Sequence, residues 1–352
     1  MDGGEPPIGI VDLFSGCGGL TVGAVEGARR AGRSASLELA VDSWLPALEV
    51  LGSSLGVEDR ILEFDLGRLL DEGDPDGLAE IRGAVRGTAE AQLLVAGPPC
   101  QGHSALNNHS RHNDARNDLY LAVARVALDF RPSAIVIENV RGVARDRRSA
   151  MRRCVSALSE HYEVVEQTVK LNMLGAPQLR TRHVLVATRQ TPFDFGALRE
   201  QPARDVRWAI GDLAEIDGST VFDTASVPTP RNQERMNWLV SMPDRFDLPD
   251  NQRPVCHQSE HSYKSMYGQL RWDRPAQTIT SGFGSMGQGR FVHPAGARTL
   301  TPHEAARLQF LPDYMDFSLV EHRAALATMI GNAAPPALTI AVVQGLIRQG
   351  LI

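Results

Sequence analysis

The stretch IGIVDLFSGCGGL, residues 8–20, decides the fold of this chain. Residues 8–14 are an apolar, β-rich run, and an amphipathic stretch at 20–30 follows a glycine-rich turn. Glycines let the backbone turn sharply and let a ligand approach the main chain. A strand, a glycine turn and a helix in this order are typical of the ligand-binding edge of an open α/β sheet.

The same alternation continues along the chain. We predict further strands at 37–41, 60–65, 93–97, 134–139, 164–171 and 183–188, and helices at 119–130, 151–161, 301–311 and 336–348. This pattern predicts a doubly wound, parallel α/β sheet with helices on both faces. It weakens after residue 188. We therefore predict a main domain of residues 1–190 plus 299–352 and a small irregular domain of residues 191–298.

The composition, with 43% hydrophobic and 22% charged residues, is that of an ordinary globular protein. No apolar run approaches the ~20 residues of a membrane span, and the N-terminus has no signal-peptide pattern. These features predict a cytoplasmic protein that does not enter a membrane. The four cysteines are widely spaced and predict neither a disulfide framework nor a paired metal site.

The net charge of −6 at first argues against nucleic acid, but the charges are unevenly distributed. Residues 58–80 carry nine acidic side chains, and residues 141–153 carry six arginines against one acid. The arginine-rich stretch fits either contacts with a DNA backbone or a solvated helix face. Arginine outnumbers lysine strongly, which suits phosphate and base recognition but is also explained by coding bias.

The glycine turn alone fits NAD, FAD, S-adenosylmethionine or no ligand. Its spacing differs from the usual GxGxxG pattern, which disfavours a dehydrogenase. Asp42 ends the predicted second strand, where an acidic residue commonly holds a ribose. Asp65 ends the third strand and could reach an adenine edge.

A second candidate site follows the strand at 93–97, where Pro98 and Pro99 stiffen the loop that carries Cys100. A thiol beyond the carboxyl end of a central strand is a candidate nucleophile, although a lone cysteine is more often structural. Glu138 ends another apolar strand, where a poorly solvated carboxyl group could stay protonated and donate a hydrogen bond. A carboxylate solvated in the crevice is the alternative.

Arg180 and Arg182 precede the last predicted strand of this group. Strand alternation puts both arginines on one side. They could bind phosphate or a base, or pair with surface acids.

Taken together, these segments resemble the DNA (cytosine-5) methyltransferase family in order along nearly the whole chain. The matching pieces are DLFSGCGGL (12–20), GPPCQGHS (97–104), ENV (138–140), QLRTR (178–182), RPAQTITSG (274–282), LTPHEAARLQFL (300–311) and GNAAPP (331–336). The resemblance implies a Rossmann-like S-adenosylmethionine-dependent methyltransferase fold. It also implies that residues 191–298 are a target-recognition domain, one that is short for the family.

The resemblance implies a catalytic set of Cys100, Glu138, Arg180 and Arg182. Cys100 would add to carbon 6 of a cytosine flipped out of double-stranded DNA, and Glu138 would hold the ring's N3. Arg182 is similar to the family's base-contacting arginine, and Arg180 would help to position the site. The residues implied to bind substrate are Gln101, Ser104, Asn139 and Gln178.

The resemblance also implies a site for S-adenosylmethionine, with S-adenosylhomocysteine as its product. The residues implied to line this site are Phe14, Ser15, Gly16, Cys17, Gly18, Gly19, Leu20, Asp42, Ser43, Asp65, Leu66, Pro98, Leu119, Asn332 and Ala333. Two positions depart from the family pattern. His103 stands where Phe is common, and Ser43 stands where many relatives have Trp. Cys17 is more typical of a small packed residue than of a reactive one.

The resemblance implies a role in restriction-modification or phage defence, with cognate restriction or defence proteins as partners and a monomeric enzyme. A tRNA cytosine-5 methyltransferase is one alternative, although the Cys-Phe-Thr of that branch is absent. A catalytically silent DNA-binding subunit is another, although the nucleophile, the acid and the glycines all remain. Cys256, His257 and His261 could bind zinc, but the second half of a finger is missing, so we predict no metal.

Overall fold

The computed structural model describes residues 5–71, 74, 76–86, 91–99, 118–145, 150–213, 218–242, 246–258 and 266–352. The chain divides into two compact units. Unit 1 comprises Met1–Leu174, Thr181–Glu200 and Ala334–Ile352, and unit 2 comprises Gly175–Arg180 and Gln201–Ala333.

The strands and helices follow the predicted order closely. The strands are β1 (Ile8–Leu13), β2 (Ala35–Asp42), β3 (Ile61–Glu63), β4 (Ala91–Ala96), β5 (Ala134–Asn139), β6 (Glu163–Lys170), β7 (Gln178–Leu179), β8 (Thr181–Thr188), β9 (Gly268–Gln269), β10 (Ala276–Gln277) and β11 (Arg290–Val292). The helices are α1 (Gly19–Arg30), α2 (Leu45–Leu55), α3 (Gly77–Ala84), α4 (Leu119–Phe130), α5 (Ala150–Leu158), α6 (Val206–Ile210), α7 (Pro230–Val240), α8 (Pro302–Leu308), α9 (Arg323–Asn332) and α10 (Ala337–Arg348).

The sheet of unit 1 has the order β3-β2-β1-β4-β5-β8-β6. Strands β1 to β5 are parallel, which confirms the predicted α/β class. β8 differs from the prediction because it runs antiparallel to both β5 and β6. The short connection from β6 to β8 contains no crossover helix, and parallel neighbours require such a crossover.

Helices cover both faces of this sheet. Val11 and Leu13 of β1 pack in one apolar cluster with residues of α4 and α5. Asp12 points to the other face, where it accepts a hydrogen bond from Thr21 of α1. α1 packs against α10 so closely that a Cβ on Gly23 would lie 2.4 Å from the Pro336 carbonyl oxygen.

Unit 2 is the irregular part of the chain. Its strands form two small parallel pairs, β7 with β10 and β9 with β11. A small core packs around α7, with Met236 and Leu239 against Tyr267 and Val292. α8 begins with a capping box in which Thr301 and Glu304 bond each other's backbone N–H groups.

The observed division differs from the predicted one at both seams. We expected residues 175–180 and 299–333 with the main α/β domain, but both belong to unit 2. The reason is a set of buried hydrogen bonds that joins Gln178 and Arg180 to Gln309, just after α8. α8 in turn packs against α6 and α9, which are also in unit 2.

Residues 323–348 are, among the described residues, the one segment with the length and mean hydropathy of a membrane span, at 1.5. In the structure 72% of the most apolar 18-residue window of this segment is buried. Residues 333–336, which include Pro335 and Pro336, separate its two helices, α9 and α10. Burial of this kind is typical of core helices in globular proteins.

Candidate active site

The glycine turn after β1 adopts backbone angles that favour glycine. Gly16 and Gly18 have φ values of +51° and +89°, and Phe14 shares the left-handed region at +58°. The turn is fixed to β2, because the Ser15 N–H donates to the Val41 carbonyl oxygen at 3.1 Å. α1 then begins at Gly19, as the sequence predicted.

Asp42, at the end of β2, holds this turn with its side chain. Its Oδ2 accepts from the Gly16 N–H at 2.9 Å, and its Oδ1 accepts from the Trp44 N–H at 3.0 Å. Burial raises the pKa of Asp42, although these backbone donors act in the opposite direction. Each carboxylate oxygen has a second lone pair, so Asp42 can accept further hydrogen bonds from a ribose.

Two glycines of the turn have different surroundings. A Cβ built on Gly16 meets no atom of the described residues within 4 Å. A Cβ on Gly19 would instead lie 2.1 Å from the Ala334 carbonyl oxygen. Gly16 is therefore needed for backbone angle and access, whereas Gly19 is needed for packing.

Asp12 lies beneath the turn and is fully buried. Its Oδ2 accepts from the Thr21 hydroxyl at 2.5 Å. Burial raises the pKa of Asp12 to about 7, and the nearby Asp42 adds to this rise while the Thr21 bond opposes it. Asp12 is a buried acid that the sequence reasoning quoted within the motif but did not single out.

Glu138 and Arg182 form a buried ion pair in unit 1. Glu138 ends β5, Arg182 is the second residue of β8, and their side chains are only 10% and 11% exposed. The Arg182 Nε contacts the Glu138 Oε1. Two of the four predicted catalytic residues are thus adjacent, because β5 and β8 pair directly.

Gly97 places this carboxylate near the glycine turn. A Cβ built on Gly97 would lie 3.9 Å from the Phe14 carbonyl oxygen and 4.0 Å from the Glu138 Oε2. Gly97 follows β4 and leads directly into Pro98, Pro99 and Cys100. The carboxyl ends of β1, β4 and β5 therefore converge on one small region, as expected at the edge of a parallel sheet.

Asn139 anchors the loop that leads to Cys100. Its Nδ2 donates to the Pro98 carbonyl oxygen at 3.0 Å, and its Oδ1 accepts from the Val140 N–H at 2.7 Å. The side chain is 1% exposed. The sequence predicted that Asn139 binds substrate, whereas in the structure its amide holds the backbone of the Pro-Pro loop. Cys100, Gln101, His103 and Ser104 lie outside the described residues.

Other predicted cofactor residues have varied surroundings. Asp65 is exposed, and its Oδ1 accepts from the Gly67 N–H at 2.8 Å to cap a short 3₁₀ helix. Leu66 is buried in the core cluster, and Ser43 is exposed. Leu119 is half-buried as the first residue of α4.

Cys17 is buried within the turn. Burial raises the pKa of its thiol to about 12, so the group stays protonated at neutral pH. Cys17 is therefore a small packed residue rather than a reactive thiol, as the sequence led us to expect.

Gln178 and Arg180 lie within unit 2, where both are buried. Gln178 Nε2 donates to the Leu308 carbonyl at 2.9 Å and to Gln309 Oε1 at 2.7 Å. Gln178 Oε1 accepts from the Ile279 N–H at 3.3 Å. Substrate binding by Gln178 stays a prediction, and the amide is already engaged inside the protein.

Asn332 and Ala333 also belong to unit 2, and Asn332 is exposed at the end of α9. Their cofactor contacts stay predictions. Sequence reasoning missed Gln309, which is fully buried. The sequence did contain a signal for it. Gln309 lies within the apolar helical pattern at 300–311, where a polar side chain at a core position is unusual.

The possible zinc cluster is only partly described. Cys256 is exposed, and His257 Nδ1 shares a hydrogen bond with the Tyr267 hydroxyl at 2.8 Å. His261 lies outside the described residues. In the part of the chain that the structure covers, no three His, Cys, Asp or Glu side chains are grouped as metal ligands.

The basic stretch at 141–153 is also only partly described. Arg153 of α5 forms an ion pair with Asp118, and Arg152 is exposed. An exposed arginine beside a paired one fits both interpretations of this stretch, so a DNA contact here stays a prediction.

Comparison with known proteins identifies the family. The family model for C-5 cytosine-specific DNA methylases matches residues 8–348. A type II methyltransferase of Bacillus subtilis (strain 168), M1.BsuMI, is 40% identical over 340 residues, covering 94% of this chain and 78% of the relative. The type II methylase M.HgiDII of Herpetosiphon aurantiacus is 30% identical over 355 residues, covering 96% and 95%.

A solved structure supports the fold. The crystal structure of a DNA modification methyltransferase encoded within an Escherichia coli prophage has a TM-score of 0.71 and 21% identity, covering 97% of this chain and 99% of that one. Its likeness concerns the fold alone. The ordered motifs, the converging strand ends and the nearly full-length family match lead to one conclusion: this chain belongs to the C-5 cytosine-specific DNA methylase family.

Proposed function

We propose that this protein transfers a methyl group from S-adenosylmethionine to carbon 5 of cytosine in double-stranded DNA, through a covalent adduct with Cys100. The observation that carries the proposal is the buried Glu138–Arg182 ion pair beside Gly97, at the start of the Pro-Pro-Cys loop. An acid and a cation in a poorly solvated cleft can hold a polar heterocycle far better than the same groups in water.

The proposed chemistry uses the chain's own groups in order. The Cys100 thiolate adds to carbon 6 of the extruded base, which leaves carbon 5 electron-rich. Glu138 holds N3 of the ring through a hydrogen bond and stabilises the negative charge that develops there. After methylation of carbon 5, loss of the carbon 5 proton and elimination of the Cys100 thiolate restore the aromatic ring.

One arginine and one asparagine support this chemistry. Arg182 contacts Glu138 and would keep its carboxyl group oriented toward the base. Asn139 holds the Pro98 carbonyl and so limits the freedom of the loop that presents Cys100. Arg180 stays a prediction, because its guanidinium is bonded to Gln309 within unit 2.

The glycine turn and Asp42 would hold the cofactor. The open space at Gly16 leaves room for it, and Asp42 retains acceptor capacity for a ribose. When bound, S-adenosylmethionine supplies an electrophilic methyl group on a sulfonium. Phe14, Gly18 and Leu20 would border the same space.

The biological setting follows from the relatives. Type II methyltransferases among the relatives support a role in restriction-modification. A cognate restriction or defence protein as partner is part of the proposal. Carbon 6 is stacked within the duplex, so the target base must be flipped out. We propose that the activity is cytoplasmic, since its proposed substrate is DNA. We propose that the enzyme acts as a monomer.

The decisive experiment is methyl transfer from labelled S-adenosylmethionine to genomic DNA and to tRNA. We expect labelled DNA, unlabelled tRNA, and no detectable turnover by Cys100→Ser. The unmodified enzyme should also be trapped covalently by DNA that contains 5-fluorocytosine, because trapping requires attack at carbon 6 and methyl transfer.

Three results would overturn the proposal. Labelling of tRNA alone would make the protein an RNA methyltransferase. Cofactor binding without labelling or trapping would make it a silent DNA-binding subunit. A fully active Cys100→Ser variant would refute the assigned nucleophile.

A further inference from the structure

Tyr120 carries a buried hydroxyl group that the proposed mechanism does not use. It is the second residue of α4, is only 2% exposed, and packs in the large apolar cluster of unit 1. Among the described residues, no group forms a hydrogen bond of ordinary geometry with its hydroxyl oxygen. A buried polar group without a partner is costly, and a phenylalanine of the same shape would avoid that cost. Apolar packing of α4 therefore does not explain the hydroxyl group.

Tyr162 shows how another tyrosine of the same cluster is satisfied. It is 6% exposed, and its hydroxyl donates to the Pro132 carbonyl oxygen at 3.0 Å. That bond joins the chain after α5 to the chain after α4, so the Tyr162 hydroxyl stabilises the fold. Tyr120 has the same side chain in the same cluster but lacks such a bond.

The Asn139 side chain lies close to the Tyr120 hydroxyl. Burial raises the pKa of Tyr120 well above its usual range, and hydrogen bonding to the Asn139 side chain acts in the opposite direction. The thiol of Cys154 and the carboxyl group of Glu138 add to the rise, so the hydroxyl keeps its proton at neutral pH. The contact with Asn139 falls short of an ordinary hydrogen bond in the structure, yet it is close enough to act on the hydroxyl group.

Asn139 has hydrogen-bonding capacity left for Tyr120. Its Nδ2 donates to the Pro98 carbonyl oxygen at 3.0 Å, and its Oδ1 accepts from the Val140 N–H at 2.7 Å. A side-chain amide has two N–H hydrogens and two acceptor lone pairs, so one of each remains beyond these partners in the described part of the chain. The Tyr120 hydroxyl can accept from that N–H or donate to that lone pair. Either bond restricts the rotation of the amide that holds Pro98.

The direction of the Pro98 carbonyl matters because Pro98 leads through Pro99 directly to Cys100. Both prolines have a fixed φ angle, so the start of this loop constrains how the chain continues. We propose that Tyr120 is a positioning residue whose hydroxyl completes the hydrogen bonding of the Asn139 amide, which holds the loop that presents Cys100. The inference rests on the proposed function and adds to it a residue of α4 that acts through Asn139.

The first test is Tyr120→Phe, which removes one oxygen atom and keeps the ring. We expect the rate of covalent trapping by 5-fluorocytosine DNA, at saturating DNA and cofactor, to fall roughly five-fold, as for the loss of one hydrogen bond. Thermal stability should change little, because the oxygen forms no regular bond within the described fold. The KM for DNA should stay within about two-fold, since Tyr120 acts on the nucleophile rather than on binding.

Tyr162→Phe is the matched control. It removes the same atom from the same cluster but breaks the bond to the Pro132 carbonyl oxygen. Thermal stability should therefore fall, while the trapping rate stays within about two-fold of the parent rate. A Tyr120→Phe variant that behaves like this control would reduce Tyr120 to a structural role and overturn the proposal.

Amide hydrogen exchange tests the position of the loop without methyl transfer. Prolines have no N–H, so the first amide after Pro98 and Pro99 that reports on the loop is that of Cys100. In Tyr120→Phe, without DNA, the amides of residues 100–104 should exchange roughly five-fold faster than in the parent. In Tyr162→Phe they should exchange at the parent rate. Equal rates in all three proteins would refute the proposal.

A double-mutant cycle identifies the group through which Tyr120 acts. Asn139→Ala should slow trapping, and the addition of Tyr120→Phe should slow it no further. Two effects that simply multiply would mean that Tyr120 does not act through Asn139. If the parent protein itself is not trapped, the proposed function fails, and hydrogen exchange in Tyr120→Phe still decides whether Tyr120 positions the loop.

Discussion

Glu138 in unit 1 and Glu304 in unit 2 are both buried and both contact an arginine, yet their surroundings differ. Glu304 accepts from both Arg298 amino groups at 2.7 Å and from the Thr301 N–H at 2.9 Å. His293 approaches it at 3.3 Å, and burial lowers the pKa of that histidine to about 4. Glu138 contacts one cation among the described residues, Arg182.

This difference separates a carboxylate that stabilises the fold from one that can take part in the reaction. Glu304 is saturated by donors and caps α8, so its acceptor positions are used inside the protein. Glu138 lies at a strand end beside Gly97, where the proposed mechanism brings the substrate base to its carboxyl group. Buried charges need partners, and the incomplete set around Glu138 fits a group that receives another partner during the reaction.

The largest effect is expected for a substitution of Glu138, which tests the comparison of the two glutamates. Glu138→Gln keeps the size of the side chain but cannot transfer a proton, so kcat should fall by about 10²–10⁴-fold with little change in thermal stability. Steady-state methylation assays and thermal unfolding would measure both quantities.

Glu166→Gln is the matched control for this substitution. Glu166 lies on β6 and pairs with His183 at 2.9 Å, so its substitution should leave kcat unchanged. Equal losses of kcat in the two variants would mean that the sheet, rather than Glu138, had been perturbed.

Asp12 is a third buried carboxyl group to compare with Glu138 and Glu304. It accepts a hydrogen bond from the Thr21 hydroxyl and lies near the carboxyl group of Asp42. Its pKa is raised by burial from 3.8 to about 7, so the folded state holds a proton that the unfolded state releases. Stability should therefore fall as the pH rises from 4 to about 7, and stay low above it. Between pH 5 and pH 8 the loss should be about 3 kcal/mol.

Denaturant unfolding across this pH range checks the Asp12 prediction against Asp12→Asn, which cannot ionise. The two proteins should have similar stability near pH 5, and the variant should be the more stable at pH 8. Parallel pH profiles of the two proteins would be inconsistent with a raised pKa at Asp12.

The smallest effect is expected at Glu304 and concerns stability alone. Glu304→Gln turns one oxygen into a donor that faces the Thr301 N–H and Arg298, so the protein should lose about 2 kcal/mol of unfolding free energy. Turnover per folded molecule, with active sites counted by 5-fluorocytosine trapping, should not change.

Glu26→Gln provides the surface control. Glu26 pairs with Arg29 and Arg30 on the solvent side of α1, where such pairs contribute about 0–1 kcal/mol. Lower turnover of Glu304→Gln with unchanged stability would mean that Glu304 also serves the reaction. The two buried glutamates would then not differ in role.

The sequence by itself determined the elements and the chemistry that they carry. Apolar runs of strand length and amphipathic stretches between them predicted β1 to β5 and the helices α1, α4 and α5, because local periodicity records which face is buried. The glycine turn, Cys100 and Glu138 were recognisable because they occur together and in a specific order along the chain, whereas each of them alone fits several interpretations.

Only the tertiary structure decided how distant side chains share their hydrogen bonds. It reversed β8 relative to its neighbours and joined residues 175–180 and 299–333 to unit 2. It also assigned the Asn139 amide to the Pro98 carbonyl and made Gln309 the meeting point of residues 178–180 and Ile330. These contacts join residues 21 to 131 positions apart, and their partners are chosen by burial and geometry, which local sequence patterns do not encode.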